Sequence, residues 1–128
     1  MASILVVDDD PSVRAALRLT LQCDGHSVTA LAEAWDALAR FTAAGERFDL
    51  VVTDVWMPGM DGLQLIRAVR ARAPDVPIIA ISGRGSRQGG ASTYLNAALA
   101  AGATHTVQKP VAPPDLCALV RDTLARQR

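Results

Sequence analysis

Four acids, one hydroxyl and one lysine in this chain of 128 residues have the types and spacing to do chemistry together. Asp8, Asp9 and Asp10 follow the apolar run Ile4-Leu5-Val6-Val7, and Asp54 closes a second run, Leu50-Val51-Val52-Thr53. Ser82 follows Ile78-Ile79-Ala80-Ile81, and Lys109 stands between Val107-Gln108 and Pro110. A strand that runs straight into acids is costly unless something offsets their charge. Two such strands side by side gather like charges, and each charge raises the pKa of the others. A hard divalent cation is the usual remedy, because Mg²⁺ takes one or two carboxylates together with phosphate oxygens and waters. The plainer account is a helix start, with Asp10 as the N-cap before Pro11. That explains one or two aspartates. It explains neither the third nor Asp54 on a different strand.

A carboxylate beside such a cation can attack a phosphoryl group and form an acyl phosphate, and Asp54 is placed for that role. Lys109 would pair with Asp54 at rest and with a phosphoryl oxygen afterwards. Pro110 biases Lys109 toward extended backbone, and the isomer of the bond between them stays open. Ser82 offers a short hydroxyl donor at another strand end.

The elements that must position these groups follow from periodicity. Short apolar runs over Ile4–Val7, Ser27–Leu31, Leu50–Thr53, Ile78–Ile81 and Thr104–Val107 predict parallel strands buried on both faces. Stripes at helical spacing lie between them. They comprise Val13, Ala16, Leu17, Thr20 and Leu21; Leu63, Ile66 and Val69; Leu95, Ala98 and Leu99; and Leu116, Leu119, Val120 and Leu124. Ala73-Pro74 should end the third helix and Gly102 the fourth. Pro58-Gly59 reads as a turn. Ala112 stands where a capping side chain would start the last helix, with Pro113 and Pro114 suited to its first turn. The pattern is α/β, a single doubly wound sheet of five parallel strands with five helices and right-handed crossovers. In such sheets function gathers at the carboxyl ends of the strands, where strand order reverses. Asp8, Asp9, Asp10, Asp54, Ser82 and Lys109 should all sit just past those ends.

Bulk composition narrows the classes. The length suits one domain, residues 1–128, with a real core. Thirteen basic residues balance thirteen acidic ones, which argues against a nucleic-acid or membrane surface. No apolar stretch approaches membrane-helix length and no export signal opens the chain, so a cytoplasmic protein is expected. Cys23 and Cys117 lack CxxC spacing and read as reduced thiols. His26 and His105 have no metal-ligand company.

Taken together, the segments Leu5-Val6-Val7-Asp8-Asp9-Asp10, Asp49-Leu50-Val51-Val52-Thr53-Asp54, Met57-Pro58-Gly59-Met60-Asp61-Gly62, Ile79-Ala80-Ile81-Ser82-Gly83, Ala101-Gly102-Ala103 and Lys109-Pro110 have a family likeness. The chain resembles the receiver domain of bacterial two-component response regulators, of CheY-like, flavodoxin-like topology, over essentially its whole length. The resemblance implies that Asp54 is the phospho-acceptor and Asp9 a direct Mg²⁺ ligand. Asp8 would help largely through water, and Asp54 and the backbone carbonyl of Trp56 would complete the protein ligands. It implies that Ser82 is the switch hydroxyl and Lys109 the phosphate contact. The donor would be a phosphohistidine on a sensor histidine kinase or phosphotransfer protein. The shift would reach the face built from the fourth helix, fifth strand and fifth helix, regulating a partner protein. A monomer or weak dimer is expected, acting as a switch and not as an enzyme.

Three features depart from the family pattern. Thr106 falls where the family usually has an aromatic, which bears on the coupling between Ser82 and the output face. The stretch Gly83-Arg84-Gly85-Ser86-Arg87-Gln88-Gly89-Gly90 is about five residues longer than usual and glycine-rich, as a mobile loop would be. Trp56 is bulky for a site rim and could shield a phosphoryl group from water. Two other functions compete. One is a receiver-shaped binding module that is never phosphorylated. The other is a small Mg²⁺-dependent phosphohydrolase, against which stands Trp56, where a general acid/base would be needed. No output domain follows the last predicted helix, so the chain reads as either a stand-alone receiver or an excised domain.

Overall fold

The apolar runs form five strands in the computed structural model, which describes residues 2–57, 59–83 and 90–127. The strands are β1 (Ser3–Val7), β2 (Ser27–Leu31), β3 (Leu50–Asp54), β4 (Ile78–Ser82) and β5 (His105–Gln108). They alternate with α1 (Pro11–Cys23), α2 (Ala34–Thr42), α3 (Gly62–Arg72), α4 (Gly90–Ala101) and α5 (Pro113–Ala125). The sheet order is β2-β1-β3-β4-β5 and every pairing is parallel. Strand order therefore reverses at β1 and β3, the two strands that end in acids.

Pleating explains why the runs are apolar throughout. Leu5, Val7, Val51, Ile78 and Ala80 pack with Ala37, Leu65, Ile66, Val69 and Ala98 of α2, α3 and α4. Their neighbours Ile4, Val6, Leu50, Val52, Ile79 and Ile81 point the other way, onto Leu17 and Leu21 of α1 and Leu116 and Val120 of α5. The expectation of burial on both faces fails for β2 and β5, which are largely half-buried. Both are edge strands with a neighbour on one side only.

Several strand boundaries also move, β1 beginning at Ser3 and the fifth strand running over His105–Gln108 and not Thr104–Val107. Asp54 and Ser82 are the last residues of β3 and β4 and do not lie beyond them, because pairing continues through Asp54↔Ile81 and Ser82↔Gln108. Of the fourth-helix stripe, Ala98 is buried and Leu99 is 48% exposed. Leu99 therefore does not belong to the core stripe. The expected mobile loop falls on residues 84–89 and the expected turn on Pro58, all outside the described residues. Gly59 beside that turn has φ +76°.

Helix ends follow local chemistry. The Asp10 carboxylate accepts from Ser12 N (2.9 Å) and Val13 N (3.4 Å), capping α1. Asp61 and Gln64 cap α3 reciprocally, each side chain accepting the other's backbone N–H. Ala112 gives α5 no side-chain cap, and prolines occupy its first turn. His105 opens β5, and both cysteines are free thiols.

One side chain fastens the far pole. The Arg70 guanidinium donates to the carbonyls of Gly102, Ala73, Pro74 and Val76, at 2.7–3.1 Å. It ties the end of α3 to the turn after α4, where Gly102 takes φ +126°. Replacing Arg70 with Ala leaves those carbonyls without their charged donor. A loss of about 2–3 kcal/mol is expected in urea unfolding.

Candidate functional site

The site stands at the carboxyl edge of the sheet, across the reversal between β1 and β3. Asp8 follows β1 directly, and its N–H donates to Leu31 O at 3.1 Å, which keeps it in line with β2. Asp54 ends β3. Pleat alternation aims it with Leu50 and Val52 toward the α1–α5 layer. Lys109 follows β5, and its N–H donates to Ser82 O at 2.7 Å, prolonging the β4–β5 ladder by one step. The Lys109–Pro110 peptide is cis.

These placements bring one cation to two buried acids. Lys109 Nζ lies 2.8 Å from Asp8 Oδ2 and 3.3 Å from Asp54 Oδ2. Asp8 is fully buried and Asp54 6% exposed, whereas Asp9 is exposed at the rim. Carboxylate oxygens of Asp8, Asp9 and Asp54 all lie within 4.8 Å of one another. Asp10 does not join them. It caps α1, and its N–H donates to Asp8 Oδ1 at 2.9 Å.

The environment works against charge on Asp54. Burial pushes its carboxyl up to about 6, aided by the Asp8 charge and opposed by Lys109 and by the Trp56 N–H. That N–H donates to Asp54 Oδ1 at 3.3 Å. Burial of Lys109 disfavours its ammonium, but hydrogen bonds and attraction from Asp8 and Asp54 prevail, and its pKa is raised. Three carboxylates and one ammonium leave an excess of negative charge. All the donors are hard oxygens, which fits Mg²⁺ and not a softer metal.

The remaining expected site residues are nearby in different ways. Ser82 is buried at the end of β4 and meets the cluster through its backbone bond to Lys109. The Trp56 side chain is 66% exposed. Thr106 lies half-buried in β5, opposite Ala80. Two residues of the site region had no role in the sequence analysis. Gly62 opens α3 against the backbone of Asp54, and a Cβ there would lie 2.0 Å from Asp54 O. Arg14 donates from its guanidinium to Asp8 O at 2.9 Å. A glycine directly after a capping aspartate was a readable signal. A lone arginine in a helix was not.

The family model of the response regulator receiver domain matches residues 4–121. The chain belongs to that family. It is a receiver domain of two-component signal transduction, a signalling switch. It is 40% identical over 123 residues to response regulator MprA of Mycolicibacterium vanbaalenii, covering 96% of this chain and 50% of that protein. It is 38% identical over 125 residues to MprA of Mycobacterium avium, covering 98% and 52%. The receiver domain thus spans about half the length of the curated relatives it matches. Among solved structures it superposes on a receiver domain protein of Clostridium thermocellum with TM-score 0.88 and 27% identity, covering 99% of this chain and 97% of that one. Chemotaxis protein CheY4 of Vibrio cholerae gives TM-score 0.82 and 32% identity, with 96% and 98% covered. NtrX of Brucella abortus gives TM-score 0.88 and 29% identity, covering 98% of this chain and 27% of NtrX. Among the described residues no helix is long and apolar enough to cross a membrane. Receiver domains bind Mg²⁺ through acidic residues, and the Asp8–Asp9–Asp54 cluster could hold one.

Proposed function

We propose that this receiver domain takes a phosphoryl group onto Asp54 from a phosphohistidine of a sensor histidine kinase or phosphotransfer protein. The observation that carries this reading is Lys109 reaching both Asp8 and Asp54 inside a three-carboxylate cluster. Asp9, Asp54 and the Trp56 carbonyl would hold Mg²⁺, with Asp8 acting largely through water. Mg²⁺ bound there supplies the charge that offsets repulsion between Asp54 and the phosphoryl oxygens.

The chain's own residues do the rest. An Asp54 oxygen attacks phosphorus in line with the leaving imidazole nitrogen. The P–N bond breaks, its electron pair stays on the imidazole, and solvent supplies the proton that neutralises it. Asp54 must be ionised to attack, which its pKa of about 6 allows above that pH. Lys109 exchanges the Asp54 carboxylate for a phosphoryl oxygen, and the Ser82 hydroxyl donates to another. That last contact draws on β4 and biases the face of α4, β5 and α5 toward the form a downstream protein partner reads. Thr106 in β5 cannot fill an aromatic's volume, so coupling across this face runs without one. The cytoplasm, where such donors carry their phosphohistidine, is the matching compartment.

Intact-mass analysis after incubation with Mg²⁺ and a small acyl phosphate tests this. One phosphoryl adduct is expected, absent without Mg²⁺ and absent in Asp54→Asn. No adduct from protein that binds Mg²⁺ would instead favour a receiver-shaped binding module.

A further inference from the structure

Asp9 is the exposed member of the cluster, and its aim depends on the backbone at either side. That backbone is held at one end by the first helical bond of α1, which any residue at position 14 would make, and at the other by the Arg14 side chain. The Arg14 N–H donates to Asp10 O at 2.9 Å, and the Arg14 guanidinium donates to Asp8 O, also at 2.9 Å. Between these anchors, Asp10 N donates to Asp8 Oδ1 at 2.9 Å. The Asp8 carbonyl belongs to the peptide plane that carries the Asp9 nitrogen. Gripping that oxygen restrains rotation about the two bonds flanking the plane, and with them the direction of the Asp9 Cβ.

We propose that Arg14 is a positioning residue for the divalent cation. Its guanidinium holds the Asp8–Asp9 peptide so that the Asp9 carboxylate faces Asp8 and Asp54. This rests on reading those three acids as the cation site. Charge alone argues for the opposite effect. A guanidinium beside a cation site repels the cation, so removing it should tighten binding if Coulomb interaction were all that mattered. Positioning makes removal weaken binding. The two accounts differ in sign.

Mg²⁺ titrations of the whole chain, followed by calorimetry, separate them. Arg14→Met and Arg14→Gln remove the charge and the long donor. Arg14 is half-exposed on a helix, where both substitutions are tolerated, and melting curves without metal confirm folding. About tenfold weaker Mg²⁺ binding is expected in both, as for loss of groups that orient metal ligands. Arg14→Lys keeps a charged donor of similar reach and should stay within about threefold of the wild type. Unchanged or tighter binding in the neutral variants, with a wild type that binds Mg²⁺, overturns the role of Arg14 and leaves the site reading standing. A wild type that binds no Mg²⁺ overturns the site reading and this inference with it.

Discussion

Asp54→Asn is expected to raise the stability of the metal-free protein at pH 7.5 while abolishing phosphoryl uptake. The cause is the environment of the Asp54 carboxyl. Burial is the largest influence on its carboxyl and the neighbouring Asp8 adds to it, so the folded pKa stands near 6 against an ordinary value of 3.8. A folded acid with a raised pKa holds its proton more tightly than the unfolded chain does. Stability therefore falls as pH rises from about 4 to about 6, and stays lower above that window. The shift corresponds to on the order of 2–3 kcal/mol. Asparagine has nearly the same shape and no charge, so it removes the penalty, and Lys109 keeps Asp8 as its partner. Urea unfolding from pH 4 to pH 8 checks this. The wild-type and variant curves should converge near pH 4 and separate by pH 7. Millimolar Mg²⁺ should narrow the gap by stabilising the wild type through mass action. Parallel curves across the whole range would show that Asp54 bears no such penalty.

Gly62→Ala should damage both stability and chemistry. The new Cβ would meet Asp54 O at 2.0 Å, the Val55 Cα at 2.7 Å and the Asp54 carbonyl carbon at 2.9 Å. All three are backbone atoms, so no side-chain rotation relieves the contact. Gly62 is also fastened there, its N–H donating to Val55 O at 2.9 Å. Either α3 backs away from the sheet, opening the packing of Leu65, Ile66 and Val69, or the end of β3 moves and carries Asp54 with it. A loss of about 3 kcal/mol or more is expected. The rate of adduct formation in the still-folded fraction should fall by at least about tenfold, since small misplacements of a reacting group are costly. Near-wild-type rate and stability would mean that α3 yields without disturbing β3.

The strands, the stripes of α3 and α5 and the meeting of the acids with Lys109 were legible in the sequence. Burial by two helix layers leaves its mark on every residue of a central strand, so Leu50 to Thr53 could hardly be read otherwise. Acids at the end of such a run are costly enough to signal a site. The Asp10–Pro11 helix start was equally plain, because a cap and its helix are neighbours in the chain. Edge strands β2 and β5 were misjudged as buried on both faces because exposure depends on what stands beside a strand, which local pattern does not record. Leu99 was misjudged for the same reason.

The sequence by itself thus determined which residues are apolar, where strands run into acids, and which side chains could act together. Only the tertiary structure decided that Lys109 reaches Asp8 as well as Asp54 and that Asp9 stands exposed while its partners are buried. It also decided that Gly62 has no room for a methyl group and that Arg14 grips the peptide beside Asp9. The physical reason is distance along the chain. Local propensity and periodicity act over a few residues. The charge balance and the clearances of this site are set by groups brought together from β1, α1, β3, α3 and β5, at separations no local pattern encodes.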